Sequence, residues 1–219
     1  MNIFKRLAEK PWIHEPGAGA ETRTASFAVS NQKVALVLFL AIVGVLFFLF
    51  FAAYHMRIEL TSDWVAIPEP PLLWFNTVVL GIASVAFEWA RGAARAGREG
   101  TARTAFLVAG ALTLSFLVLQ LVVWDQMLGL GYFAHSNPAN SFFYLITAVH
   151  GLHLVGGLVA WGRALTRFRS LAVVDDGGAD GDIAQERLAR LSRSVDLCAL
   201  YWHFLLLVWL GMMAMFLNT

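Results

Sequence analysis

Charge is what this chain lacks most. Only 14% of its 219 residues are Asp, Glu, Lys or Arg, and 58% are hydrophobic. A soluble domain carries about 25% charged residues, so a water-soluble globule is excluded, and the mean hydropathy of +0.65 points to a membrane protein. The formal net charge of +1 gives no reason to expect a nucleic-acid partner. One cysteine, Cys198, lies in an apolar stretch. It excludes an intrachain disulfide and reads as a small buried hydrophobe. There is no phosphate-binding glycine loop, dinucleotide fingerprint, nucleophile elbow or CxxC pair, so no soluble active site is written here. No repeat of 20–50 residues is evident, which excludes a solenoid. The first 32 residues lack the 7–15-residue apolar core of a secretory signal. They read as a polar tail.

Long apolar runs are what the chain does have. A membrane-crossing helix needs about 20 predominantly apolar residues, and five segments qualify: 34–54, 72–90, 105–124, 142–164 and 197–217. The expected fold is therefore all-α, a five-helix integral membrane bundle over 33–219 behind a cytoplasmic polar tail, 1–32. Arg57, Glu59 and Asp63 end the first span, Pro68-Glu69-Pro70-Pro71 precedes the second, and Asn137-Pro138 turns into the fourth. No proline falls inside any of the five runs.

Fifteen of the 16 basic residues precede span 1, follow span 2 or separate spans 4 and 5; Arg57 is the exception. The positive-inside rule then sets the N-terminus in the cytoplasm and the C-terminus outside. The loop 166–195 reads as a flexible solvated turn, Val173 to Asp182, followed by a short cytoplasmic helix or the extended start of span 5.

The ionisable and amide side chains inside these runs are the candidate functional residues, since such groups are rare at bilayer depth. His150 and His153 share one face of span 4, one turn apart, and His203 lies in the Tyr201-Trp202-His203-Phe204 segment of span 5. A metal site is disfavoured: at 1.5 Å per residue the three histidines spread over roughly a third of the membrane, and no carboxylate stands mid-span beside them. A proton relay is disfavoured too. Its candidate acids, Glu88 and Asp196, lie within about a turn of the cytoplasmic boundary, and Glu88 can pair locally with Arg91. The remaining reading is a structural layer, with Asn76, Thr77, Gln120 and His150 at a shared depth of ~20–22 Å from the cytoplasmic side. Gly151, Gly156, Gly157 and Gly162 would let span 4 approach its neighbours closely. Trp64, Trp74, Trp124, Tyr132 and Phe133 read as interfacial anchors, and Leu46 to Tyr54 as a lipid- or partner-facing surface. Five spans without internal symmetry or broken helices weaken a transporter reading, which stays as the alternative of a different class.

Four segments together carry a resemblance. The run 38–57, LFLAIVGVLFFLFFAAYHMR, is similar to the first helix common to subunit III of the haem–copper terminal oxidases. Asn76-Thr77-x-x-Leu80 with Ala83-Ser84 and Ala90 follows that family's NTxxLxxSSxxxxxA pattern. Phe143-Tyr144-x-x-Thr147 through His150-Gly151-Leu152-His153 and Gly157 follows FFxxTxxHGLHxxxG. Tyr201-Trp202-His203-Phe204 with Val208-Trp209-Leu210 follows YWHFxxxVWL. The match spans about 34–217 and resembles the five-span type, cytochrome c oxidase subunit III and its quinol oxidase relatives.

The resemblance implies an accessory, cofactor-free chain in the bacterial cytoplasmic membrane, part of the aerobic electron transport chain. It would sit beside a catalytic subunit I that holds haem and copper, reduces oxygen and pumps protons, and beside a subunit II. Subunit III of that family stabilises the core and helps sustain proton uptake, and its cleft can hold phospholipid. Arg91, Arg95, Arg163 and Arg167 are then candidates for lipid head-group contacts. An accessory subunit of a quinol oxidase or of a nitric oxide reductase would use the same helices. The family's intramembrane Ser-Glu pair is absent: Ile42 and Val43, or Ala41 and Ile42, occupy it. The acid before the YWHF segment is Asp196 rather than Glu. These departures move the implied role towards scaffolding.

Overall fold

The computed structural model describes residues 31–60, 64–65, 70–172 and 181–218, with side chains given outside 167–172 and 181–187. The polar tail before Asn31, the 173–180 part of the acidic turn and the side chain of Arg167 lie outside the described residues. The chain divides into two compact units, Met1–Ala35 and Leu36–Thr219. Of the first, only Asn31–Ala35 are described, and they are helical.

Five helices account for the described residues: α1 Asn31–Leu60, α2 Pro71–Arg95, α3 Glu99–Gly129, α4 Pro138–Ala172 and α5 Gly181–Leu217. Each contains a window long and apolar enough to cross a membrane, and no strand occurs among the described residues. The all-α, five-span bundle is thus the observed fold. Hydropathy marks the hydrocarbon-facing part of a helix rather than its ends, so every helix is longer than its apolar run. The greatest difference is at 166–195. Helix continues to Ala172 and resumes at Gly181, making the stretch before span 5 its extended start and not a separate helix.

Local chemistry sets the ends. Pro71 and Pro138 open α2 and α4, where a missing N–H costs nothing and the fixed φ suits the first turn. Helices α2 and α3 end alike. Gly97 (φ 69°) and Gly131 (φ 87°) adopt the left-handed conformation. Arg98 N–H then reaches Ala93 O at 2.9 Å and Tyr132 N–H reaches Met127 O at 3.0 Å. Both are the glycine-terminated C-cap that satisfies last-turn carbonyls. The first reverses the chain in three residues and lays α3 antiparallel against α2.

That pair packs through small side chains. Ala83, Ala90, Ala93, Ala102 and Ala109 are all fully buried, and such residues bring helix backbones close where lipid supplies no hydrophobic drive. Helix α5 lies on α2 and α4, and α4 also meets α3. Within the Leu36–Thr219 unit, α1 reaches this group through long aromatic side chains. Phe47 stands 5.7 Å from His153 and 6.4 Å from His150, and Tyr54 packs edge-on against Phe142 and Phe216. The run Leu46 to Tyr54 is therefore not one outward surface. Phe47 and Tyr54 are buried, while Leu46, Phe48 and Leu49 are exposed. The 3.6-residue period turns Leu40, Val43, Phe47 and Tyr54 inward as one stripe.

Candidate functional site

The polar residues of the spans are used to cross-link helices. Asn76 Nδ2 of α2 donates to Gln120 Oε1 of α3 at 3.0 Å, fully inside the bundle. Thr77 donates its hydroxyl to Leu73 O one turn back, and its Oγ1 accepts the indole N–H of Trp209 from α5 at 2.9 Å. The expected four-residue layer therefore splits. Asn76 pairs with Gln120 and Thr77 with Trp209, while His150 bonds to neither amide. His150 is completely buried. Its Nε2–H donates to Leu205 O of α5 at 3.1 Å, leaving Nδ1 without a hydrogen bond. The ring is held by Phe47, Phe116 and Trp209, the last at 5.2 Å.

His153 turns differently. Its Nδ1–H donates to Val149 O of its own helix at 2.7 Å, and its backbone carbonyl accepts the Tyr201 hydroxyl at 2.8 Å. The neighbouring Trp202 donates to Thr113 Oγ1 of α3 at 2.9 Å, and its indole lies 4.3 Å from the Phe87 ring. The Tyr201-Trp202-His203 segment thus sends three successive side chains to three helices, α4, α3 and α2.

The third of these contacts joins His203 to the two acids. Ser84 Oγ lies 2.7 Å from His203 Nδ1, and His203 Nε2 lies 3.1 Å from Glu88 Oε2. Against a carboxylate oxygen, which accepts, Nε2–H is the donor, and the Ser84 hydroxyl meets the other ring nitrogen. Glu88 Oε1 meets Arg91 at 3.0 Å, as the spacing predicts. Asp196 is clamped by Arg95 at 2.9 Å and approached by Arg91 at 3.8 Å. Ser84, Glu88, Arg91, Arg95, Asp196 and His203 form one chain of contacts along the α2–α5 seam. His203 belongs to this seam and not with His150 and His153.

Some sequence-level candidates have other surroundings. Arg163 is exposed. Of the four glycines of span 4, only Gly157 is needed for close approach: a Cβ there would lie 2.6 Å from Tyr201 Cε1. Gly156 and Gly162 face open space, and Gly151 sees Leu117 at an ordinary 3.7 Å. Gly110 was not signalled by the sequence, yet a Cβ there would stand 2.2 Å from the Trp161 indole, which donates to Phe106 O at 2.9 Å. Trp124, expected as an interfacial anchor, makes an interhelical bond, its N–H reaching Thr147 Oγ1 at 3.2 Å. Trp–Thr pairs at matching depth on neighbouring spans were the available signal for three of these cross-links.

Chemically, the arrangement binds helices to one another. No group of three or more His, Cys, Asp or Glu side chains converges as a metal site among the described residues. An apolar groove of about 400 Å³ opens between α1, α4 and α5, lined by Leu36, Phe39, Gly157, Ala160, Leu197 and Tyr201 among others.

No protein-family model matches the chain. Individual proteins do. A probable cytochrome c oxidase subunit 3 of Nocardia farcinica is 25% identical over 209 residues, 92% of this chain and 95% of the relative. A probable cytochrome c oxidase subunit 3 of Mycobacterium tuberculosis is 26% identical over 170 residues, 75% of each. A cytochrome bo(3) ubiquinol oxidase subunit 3 of Pseudomonas aeruginosa is 26% identical over 211 residues, 95% of this chain and 92% of the relative.

Proposed function

We propose that this subunit III-like chain is an accessory, non-catalytic subunit of a haem–copper terminal oxidase in the bacterial cytoplasmic membrane. It stabilises the subunit that reduces oxygen and pumps protons, and it takes haem and copper into none of its own side chains. The observation that carries the reading is the way the intramembrane polar groups are engaged. Asn76, Gln120, Thr77, Trp202, Trp209 and His203 all bond to other helices, and His150 bonds to the α5 backbone. Near full-length similarity to oxidase subunits 3 supports the same reading.

The relatives include cytochrome c and ubiquinol oxidases at nearly equal identity, so either electron donor fits this chain. Catalytic subunit I and subunit II are the partners the reading requires. The apolar groove between α1, α4 and α5 suits a phospholipid acyl chain, with the exposed Arg163 towards the cytoplasmic end of the same helix for its head group.

The test is to purify the oxidase complex from cells with and without this chain. The reading expects identical haem spectra and comparable initial oxygen consumption, with faster loss of activity during turnover when the chain is missing. A change in haem content that follows this chain would contradict it.

A further inference from the structure

A buried polar group without a partner carries its full desolvation penalty, so each one calls for an explanation. Asn76 Oδ1, Gln120 Nε2 and His150 Nδ1 are buried and have no hydrogen-bond partner within the chain. Their residues are 0%, 5% and 0% exposed. They belong to α2, α3 and α4, and at 1.5 Å per residue all three fall ~20–22 Å from the cytoplasmic side. At that depth no bulk water is at hand to satisfy them.

Aromatic rings tie the three side chains together. Phe116, one turn from Gln120 on α3, stands 5.9 Å from the His150 ring and 4.8 Å from Trp209. Trp209 stands 5.2 Å from His150 and donates to Thr77, the chain neighbour of Asn76. The two amides meet through one bond, Asn76 Nδ2 to Gln120 Oε1. The other half of each amide is left over, an acceptor on Asn76 and a donor on Gln120. Turning both amides over exchanges these roles and still leaves one donor and one acceptor. His150 adds a second acceptor, because the proton of its neutral ring sits on Nε2 and is given to Leu205 O.

We propose that these three atoms hold a buried water molecule. Its oxygen accepts an N–H of Gln120 Nε2, and its two hydrogens go to Asn76 Oδ1 and His150 Nδ1. A buried water typically makes about three hydrogen bonds, and one water matches this set of one donor and two acceptors without remainder. An apolar occupant would leave all three atoms unpaired, and a cation or an anion would meet groups of the wrong polarity on one side. The water reunites a layer that direct bonding divides into Asn76–Gln120 and His150–Leu205. It joins α2, α3 and α4 at one level and, through Leu205 O, α5. The site follows from the buried side chains alone and stands whether or not the chain serves an oxidase.

The experiment uses the full chain in lipid bilayers with isotope-labelled histidine, observed by solid-state NMR. His150 is the one histidine followed by glycine, so a labelled His–Gly pair identifies its signals. Magnetisation is passed from water protons to the protein. His150 Nδ1 should receive it several-fold faster than the side chain of Leu154, which is equally buried one turn away on the same helix and has no polar atom. Equal rates at the two positions would overturn the proposal. Replacing both Asn76 and Gln120 by Leu removes two of the three partners, while His150 keeps Leu205 O. Transfer to Nδ1 should then fall to the Leu154 level in a chain whose circular dichroism is unchanged. Undiminished transfer would mean that the water does not bridge to the amides and would contradict the site. If the double variant does not fold, the measurement on the parent chain decides alone.

Discussion

A Cβ on Gly157 would stand 2.6 Å from Cε1 of Tyr201, so α4 and α5 meet where only glycine fits. The contact also aims the tyrosine, whose hydroxyl bonds to His153 O one turn away. Replacing Gly157 with Ala should push the ring aside, break that bond and destabilise the bundle by about 1–3 kcal/mol, the usual cost of overpacking. Gly81→Ala, into open space, should be neutral or slightly stabilising. Unfolding in mixed detergent micelles compares the two.

The Asn76–Gln120 pair predicts a non-additive response. Asn76→Leu strands a buried carboxamide on Gln120 and should cost about 1–3 kcal/mol, as unsatisfied buried groups do. Adding Gln120→Leu removes the stranded group and should recover part of the loss. A double-mutant cycle on unfolding free energies checks this, and strict additivity would deny the bond.

The two indole bonds across the bundle should be worth a similar, modest amount each. Trp202 to Thr113 and Trp209 to Thr77 are interhelical bonds between neutral groups, a class that contributes about 0.6–1.7 kcal/mol in membrane proteins. Trp→Phe with Thr→Val at either site should give a coupling energy in that range. The threonine retains its own backbone acceptor, so neither single change should unfold the chain.

Arg95→Gln removes the closer of the two guanidinium contacts to Asp196. Both side chains are more than a third exposed, so screening limits the loss to about 0–1 kcal/mol. The loss should shrink further as salt is raised. A salt series of unfolding curves on the variant and the parent measures it.

The five spans were readable because hydrocarbon demands long apolar runs, and prolines and charges mark where those runs stop. The helix ends were not. Residues such as Glu99 to Arg103 and Leu188 to Val195 keep helical hydrogen bonding after leaving the apolar region, and hydropathy is blind to that. Depth along an axis was also readable: Asn76 and Gln120, expected at one level, bond to each other. Rotation about the axis was not, and it decides partners. It sends Thr77 to Trp209, aims His150 at a backbone carbonyl, and turns His203 out towards Glu88. The Gly110–Trp161 contact was hidden for a related reason, because one glycine in an apolar helix gives no sign of the ring laid over it.

Purification of the full chain from its native membranes, followed by mass spectrometry of the co-purifying proteins and an optical haem spectrum, tests the central claim most directly. The account predicts a stoichiometric multi-histidine catalytic subunit with haem absorbance, and no haem or copper on this chain once it is separated. A chain that purifies without oxidase subunits, or that keeps a stoichiometric metal or haem of its own, would contradict it.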